Sequence, residues 1–175
     1  QNKIWRDLSS KLKDKYQIKP LMWVGGTEDF IKDDEIFYSH KSALLLKNPI
    51  EDLEKLNTGL TIDEINYLTK KNQIFFNLMN RWSVFCEKIS YEDKLEYFLK
   101  SFELWKNFNI KKNIDLVISP TIPHRLYDYT LYLFCNYNNK KFVMGNETTD
   151  IYFDKKTNDY KTLCFYQDKI QNIKI

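Results

Sequence analysis

The stretch IDLVISPTIPHRLYDYTLYLFCNYNNKKFVMGNE, residues 114–147, decides the fold of this chain. It contains a short apolar run, a polar turn with two prolines, a segment with helical spacing, a four-residue connection and a second apolar run. This pattern predicts a strand, a crossover helix and a second strand parallel to the first, and such crossovers are almost always right-handed. The first run is apolar throughout rather than alternating, so we expect its strand to be covered on both faces.

Polar side chains come directly after both predicted strands. His124, Arg125 and Asp128 follow the first strand, and Asn146 and Glu147 follow the second. In an open α/β sheet, ligands bind in the crevice outside the carboxyl ends of the strands. The sequence therefore predicts a binding site at this edge, although it does not by itself reveal the reaction.

The start of the crossover helix bears directly on that site. Because Pro123 disfavours helical backbone at Ile122, we expect the helix to begin at Pro123 or just after it. His124 and Arg125 would then lie in the first turn, where backbone N–H groups and the helix dipole favour an anion.

Length, aromatic content and charge narrow the class of protein. At 175 residues, the chain is expected to form a single domain, residues 1–175, with one core. An aromatic content of 16% argues against disorder, and the mild net charge of +3 is spread out, so no nucleic-acid partner is expected. Because the chain begins at Gln1 rather than Met, we expect it to be part of a longer or processed protein.

The cysteines and the apolar runs indicate a compartment. The three cysteines are far apart and include no C-x-x-C pair, so we predict neither a metal site nor a disulfide. We also expect no cofactor. This cysteine usage is typical of a reducing compartment, and we expect a cytoplasmic protein. No apolar run approaches the length of a membrane span, and the first residues do not resemble a signal peptide.

The front of the chain predicts two helices and one strand. Apolar spacing predicts a helix from Asn2 to Tyr16, and the segment Pro20–Gly25 predicts the first strand of the sheet. A capping Asn followed by Pro and Glu predicts a short helix from Asn48 to about Leu56. The apolar run Ala43–Leu46 fits either a second strand or a helical turn.

A long helical insertion precedes the central strand. Thr61 begins a capping-box pattern for a helix that we expect to run to about Phe85, and Ser90 opens another that ends at Asn113. After Glu147, the segment 151–166 can pair as a hairpin. The fold class is therefore α/β, with a mostly parallel sheet and a long helical insertion.

Two further candidates for ligand binding lie near the front. Gly25 and Gly26 allow either a sharp turn or a close approach of the backbone to a ligand. They match neither a dinucleotide-binding fingerprint nor a P-loop. His40 either faces a cleft or has a structural or surface role.

Residues 115–132, DLVISPTIPHRLYDYTLY, resemble a motif of bacterial capsular and surface-polysaccharide biosynthesis proteins. In that motif, a strand ending in a P-x-x-P-H pattern is followed by a helix with a D-Y-x-L-Y pattern. The matching residues are Pro120, Pro123, His124, Asp128, Tyr129, Leu131 and Tyr132. The resemblance covers about residues 60–150 and extends only loosely to the front, where the position of His40 departs from the family pattern.

Proteins of this family resemble glycosyltransferases of the GT-B architecture, which have two Rossmann-like domains. The resemblance implies that this chain is a Rossmann-like three-layer domain and the amino-terminal, acceptor-side half of such a protein. The nucleotide-sugar half would lie beyond Ile175. The implied ligand is a sugar or nucleotide-sugar, and any peripheral membrane association would come through regions outside this chain.

The predicted site residues have functional and structural interpretations. His124 suits a general base or a hydroxyl-binding residue, with Asp128 supporting it from one helical turn away. Alternatively, the pair caps the helix and docks it to the loop. Arg125 can bind a phosphate or a sugar carboxylate, or be solvated. Glu147, with Asn146 beside it, can bind sugar hydroxyls or simply be exposed.

Two classes of function remain open. The first is a sugar-transferring enzyme domain without its donor half, in which His124 and Asp128 are catalytic. The second is a non-catalytic α/β module that binds a glycan or a partner protein. In the first class, the substrate-binding candidates are Gly25, Gly26, His40, Arg125, Asn146 and Glu147.

Overall fold

The computed structural model describes residues 2–25, 34–56, 58–81 and 89–145, and the backbone of three short strands within 152–167. The described part is mixed α/β, as predicted. Its elements are α1 (Asn2–Tyr16), β1 (Met22–Val24), β2 (Ile36–Tyr38), α2 (His40–Leu44), α3 (Ile62–Thr69), α4 (Asn72–Asn80), α5 (Tyr91–Lys112), β3 (Leu116–Ser119), α6 (Leu126–Tyr137), β4 (Lys141–Gly145), β5 (Tyr152–Asp154), β6 (Asp159–Lys161) and β7 (Phe165–Gln167). The chain forms two compact units, residues 1–57 and residues 58–175.

The first unit contains a parallel pair of short strands. β1 and β2 pair in register from Met22 opposite Ile36 to Val24 opposite Tyr38. The strand predicted at Pro20–Gly25 is therefore present, but it pairs with β2 in a two-stranded sheet rather than joining β3. The predicted helix α1 is confirmed.

Two segments that follow β2 show which of the predicted local structures form. The run at Ala43 belongs to helix α2, whose N-terminus is capped by Ser39 accepting the N–H of Ser42 at 3.0 Å. The predicted α-helix from Asn48 to about Leu56 is wrong, because only a 3₁₀ turn at Leu53–Lys55 forms there. Asp52 has a φ of 62°, and this left-handed backbone cannot continue an α-helix.

The second unit contains the predicted strand–helix–strand. β3 and β4 are parallel, in register from Leu116 opposite Lys141 to Ser119 opposite Met144, and α6 connects them. On its other side, β4 pairs antiparallel with β7, so this sheet is mixed. Among the described strands β3 lies at the edge, and its apolar residues are only half-buried rather than covered on both faces.

The end of the chain forms more strand than the sequence indicated. The predicted hairpin is confirmed, because β5 and β6 pair antiparallel from Tyr152 opposite Lys161 to Asp154 opposite Asp159. β7 overlaps the last residues of the predicted hairpin segment, yet it joins β4 instead. This pairing is non-local and has no signal in the local pattern.

The helical insertion is divided more finely than predicted. The capping box at Thr61 and Glu64 forms, with bonds of 2.7 and 3.2 Å, and starts α3 as expected. The expected single helix is wrong, because α3 ends at Thr69 and α4 begins at Asn72. The break allows each short helix to pack separately against α6. The last part of the predicted helix, from residue 82 to about Phe85, lies outside the described residues.

The core of the second unit is aromatic and is formed where α4, α5 and α6 meet. The rings of Phe75 and Phe98 lie 4.4 Å apart, and those of Phe102 and Phe134 lie 5.8 Å apart in an edge-to-face arrangement. All four side chains are fully buried. Burial of this much apolar surface is the main favourable contribution to the stability of the unit.

Within this apolar core, α5 and α6 are joined by a buried polar network. The indole Nε1 of Trp105 donates to the carbonyl of Tyr127 at 3.1 Å and lies 3.3 Å from the hydroxyl of Thr130. The hydroxyls of Ser101 and Thr130 are 2.8 Å apart. Because these groups have directional partners, they fix the position of the first turn of α6 along α5 in a way that apolar contact alone does not.

A second polar anchor fixes the start of α3 against α5. The ammonium of Lys106 donates to the carboxylate of Glu64 at 2.8 Å and to the carbonyl of Gly59 at 2.9 Å. Burial alone would raise the pKa of Glu64, but hydrogen bonds from Lys106 and Thr61 outweigh it and lower the pKa. The buried carboxylate is therefore held in its charged form.

The hydroxyl pair of Ser101 and Thr130 can be tested by removing one hydroxyl or both. We expect Thr130→Val to destabilise the protein by about 1–3 kcal/mol, since it leaves the Ser101 hydroxyl buried without its partner. Adding Ser101→Ala should recover part of that loss, because no buried hydroxyl is then left unpaired. Urea unfolding of the two single variants and the double variant measures both effects, and a strictly additive double variant would contradict the coupling.

Candidate functional site

The turn between β3 and α6 carries the predicted catalytic residues. α6 begins at Leu126, and Arg125 is its extended N-cap residue, so the predicted start at Pro123 is wrong. The carboxylate of Asp128 accepts the N–H of Arg125 at 2.7 Å and the N–H of His124 at 3.3 Å. This carboxylate reaches back from the third helical position, and it determines where the helix starts.

That arrangement changes the expectation of an anion at the helix start. His124 and Arg125 precede the helix rather than forming its first turn. Their two N–H groups already donate to a carboxylate of the chain itself. An external anion would therefore have to displace Asp128 to use these groups, and the predicted placement of His124 and Arg125 in the first helical turn is wrong.

The imidazole of His124 is exposed and its Nδ1 side is held by the turn. Nδ1 lies 3.1 Å from the carbonyl oxygen of Ile122 and 3.1 Å from the hydroxyl of Thr121. The carboxylate of Asp128 is 3.9 Å from the same nitrogen, which is ion-pair distance but too long for a hydrogen bond. The side chain is 54% exposed, so the other edge of the ring faces solvent.

The carboxyl group of Asp128 is largely buried and also accepts backbone N–H groups. Its side chain is only 17% exposed, and burial raises its pKa from 3.8 to about 6 despite the opposing effect of the backbone N–H groups and His124. A carboxyl group with a pKa near 6 exchanges protons close to neutral pH. Asp128 therefore both caps the helix, as one interpretation predicted, and retains acid–base character beside His124.

Arg125 lies at the same turn and is partly exposed. Its guanidinium donates to the hydroxyl of Tyr127 at 3.0 Å. Burial raises the pKa of Tyr127 to about 12, which keeps this phenol neutral. The contact uses one nitrogen of the guanidinium and leaves its other N–H groups without a hydrogen bond to Tyr127, which suits an anion-binding residue.

The end of β4 contacts the residue that follows β3. A Cβ atom at Gly145 would be too close to the carbonyl oxygen of Pro120, so only glycine fits the backbone approach between the two strand ends. The carboxyl ends of β3 and β4 therefore meet, as the parallel pattern predicted. The substrate-binding candidates Asn146 and Glu147 come next in the chain and lie outside the described residues.

The structure brings together two other predicted residues in the first unit. Gly25 directly follows β1, is buried and has a φ of 81°, and its N–H donates to the carbonyl of Tyr38 at 2.8 Å. A Cβ atom at Gly25 would overlap the imidazole ring of His40, so the ring rests against bare backbone. The glycine thus serves both as a turn and as a close-approach position. Gly26 lies outside the described residues.

Sequence reasoning missed the residues that hold the turn. Thr121 contacts His124, and the buried Ser119 donates from its hydroxyl to the carbonyl of Thr121 at 2.7 Å. Both are small hydroxyl residues placed beside prolines at the end of a strand. Hydroxyl side chains bond readily to nearby backbone in such turns, and this preference was the available signal.

The described ranges contain neither a metal-binding cluster nor a membrane-spanning helix. No group of three or more His, Cys, Asp or Glu side chains there could hold a metal ion. No helix in the same part of the chain is long and apolar enough to cross a membrane.

The contact between Gly25 and His40 predicts a specific pattern of stability. Gly25→Ala should destabilise the protein by about 2–4 kcal/mol, because it adds left-handed strain and displaces the imidazole. Gly25→Ala combined with His40→Ala should be less destabilised than the sum of the two single variants, because the overlap with the ring is then gone. The measurement is urea unfolding of all three variants, and a strictly additive double variant would contradict the proposed overlap.

The buried carboxyl of Asp128 predicts a pH dependence of stability. Because its pKa in the folded protein is about 6, above the ordinary 3.8, its contribution is fully present below about pH 3.8 and is lost as the pH rises through 6. Relative to Asp128→Asn, the free energy of unfolding should therefore fall by about 3 kcal/mol between pH 3.5 and 7.5.

Urea unfolding over this pH range provides the measurement. Carrying out the comparison in a His124→Asn background removes the ionisable imidazole that lies beside Asp128. A difference that is flat with pH, or that grows as the pH rises, would show that Asp128 is not the buried group described here.

Comparisons with known proteins do not assign a family to this chain. No family model matches it, and no significant match was found among curated proteins or solved structures. A functional proposal therefore depends on the motif at residues 115–132 and on the geometry of the turn that this motif forms.

Proposed function

We propose that this chain is the acceptor-side half of a glycosyltransferase-like enzyme in capsule or surface-polysaccharide biosynthesis. In this proposal its fold is a Rossmann-like three-layer domain of the GT-B type, it acts in the cytoplasm, and a second domain binds the nucleotide-sugar. The observation that carries the proposal is the exposed imidazole of His124, placed beside the largely buried carboxyl group of Asp128 where a parallel strand leads into its helix.

The position of the site supports an enzyme. The β3–α6–β4 unit is parallel, and His124 and Asp128 lie at the carboxyl edge of its sheet, where α/β enzymes bind their ligands. The predicted substrate-binding residues Asn146 and Glu147 come next in the chain after β4 and lie outside the described residues. In the first unit, Gly25 and His40 likewise follow the carboxyl ends of two parallel strands.

The arrangement suggests a definite role for each group. The hydroxyl of a sugar acceptor donates to His124, which removes its proton as the oxygen attacks the anomeric carbon of the donor. The bond from that carbon to the nucleoside phosphate breaks, and the nucleotide leaves with the bonding electrons. The resulting imidazolium lies 3.9 Å from the carboxylate of Asp128, which stabilises its charge. Arg125 is suited to hold an anionic group of the substrate.

A non-catalytic module that binds a glycan or a protein is the second candidate. The observation that favours it is the use of both Asp128 oxygens as acceptors for backbone N–H groups. If capping is the whole role of Asp128, His124 provides only a hydrogen bond to a bound sugar. This candidate predicts sugar binding without transfer.

Variants of His124 in the complete natural protein that contains this chain separate the two candidates. The assay measures sugar transfer from a panel of nucleotide-sugars to oligosaccharide acceptors. Loss of the general base in His124→Asn should lower kcat by about 100-fold or more while KM changes little. Asn136→Ala, an exposed change on the same helix, is the matched control and should transfer at the wild-type rate.

His124→Gln refines the interpretation, because its amide can still bond a hydroxyl but cannot accept a proton. If both His124 variants transfer sugar at the wild-type rate, His124 is not the base. If the wild-type protein binds an acceptor but transfers no sugar from any donor, the module is favoured instead.

A further inference from the structure

The turn at residues 119–124 surrounds one nitrogen of the His124 ring with oxygen atoms. A carbonyl oxygen can only accept a hydrogen bond, so the 3.1 Å contact from Nδ1 to the carbonyl of Ile122 requires a proton on Nδ1. In a neutral imidazole, Nε2 then carries the lone pair. Nε2 has no hydrogen-bond partner among the described residues, and the ring is more than half exposed.

We propose that Thr121 is a positioning residue that, with the Ile122 carbonyl, holds His124 in the Nδ1–H tautomer and presents Nε2 to the substrate. The Thr121 hydroxyl lies 3.1 Å from Nδ1 and acts as a second acceptor for its proton. Its own proton remains available to donate elsewhere. The tautomer is a property of the chain, and only the use of Nε2 as a base rests on the proposed function.

Ser119 supports this arrangement from the end of the strand. Its buried hydroxyl donates to the carbonyl of Thr121 at 2.7 Å, which fixes the peptide that leads into Ile122. Gly145 approaches the carbonyl of the intervening Pro120 from β4. Contacts from Ser119 and Gly145 therefore hold the turn independently of the imidazole. The oxygen atoms of Thr121 and Ile122 contact Nδ1 from this turn.

Asp128 acts on the histidine by a different route. Its carboxylate accepts the backbone N–H of His124 and stands 3.9 Å from Nδ1. Asp128 therefore fixes the backbone of the residue, whereas Thr121 and Ile122 determine which ring nitrogen carries the proton. This division separates the effects of variants at the two positions.

Nitrogen NMR of the imidazole rings tests the proposal directly. The chain contains two histidines, so a long-range proton–nitrogen spectrum of ¹⁵N-labelled protein shows two rings, and His124→Asn assigns them by the loss of one. At a pH where the ring is neutral, we expect Nδ1 of His124 to be protonated and Nε2 to be bare. This result is diagnostic because a free neutral imidazole prefers the opposite tautomer.

Substitutions at Thr121 provide the matched pair. Thr121→Val keeps the shape and removes the hydroxyl, and it should move the tautomer ratio about fivefold toward Nε2–H, as expected for the loss of one neutral hydrogen bond. Thr121→Ser keeps the hydroxyl and should retain the wild-type ratio. Urea unfolding of both variants shows whether the fold is preserved.

Two outcomes overturn the proposal. The first is a wild-type His124 that carries its proton on Nε2. The second is a folded Thr121→Val protein with the wild-type tautomer ratio. Neither outcome depends on sugar transfer, so a correct tautomer combined with an inactive assay would remove the proposed function while leaving the assignment of Thr121 intact.

Discussion

The hydrogen bond from the Trp105 indole to the Tyr127 carbonyl is the interaction on which the arrangement of the second unit depends. It lies inside an aromatic core, where most contacts are apolar and do not fix the position of one helix along another. Together with the hydroxyl pair of Ser101 and Thr130, it fixes the first turn of α6 along α5. Because the candidate site consists of that first turn and the residues just before it, the geometry of the site depends on a buried contact between α5 and α6.

Two opposing effects act on the carboxyl group of Asp128 at the candidate site. Asp128 must accept backbone N–H groups to start the helix, and the same packing buries it enough to raise its pKa to about 6. Capping favours the charged form of the carboxyl, whereas burial favours the neutral form. The two interpretations of His124 and Asp128 that the sequence left open are therefore compatible, since a capping carboxylate can also sit beside a base.

The sequence predicted the elements whose signals are local. The β3–α6–β4 unit, the helix that starts after Ser90 and the capping box at Thr61 all follow from spacing and capping residues, and all are present. At the candidate site, His124 and Asp128 follow β3 in the chain as predicted, with His124 before α6 and Asp128 in its first turn.

The errors arose where a contact outside the local pattern decided the outcome. The start of α6 was misplaced by two to three residues because a side chain inside the helix, Asp128, selects the N-cap. The short helix after Asn48 was lost to a left-handed Asp52, and the pairing of β7 with β4 connects distant segments. Thr121 was missed because its role appears only when the turn brings its hydroxyl to the ring of His124.

The contact between Gly145 and Pro120 limits which residues the end of β4 can carry. Among the described residues, the groups that orient the His124 ring come from a single contiguous segment, residues 119–128, and β4 approaches that segment with the bare backbone of Gly145. Any residue larger than glycine at position 145 would displace Pro120 and disturb this segment from outside it. Any chain that keeps this orientation of the imidazole must therefore keep the glycine together with the turn.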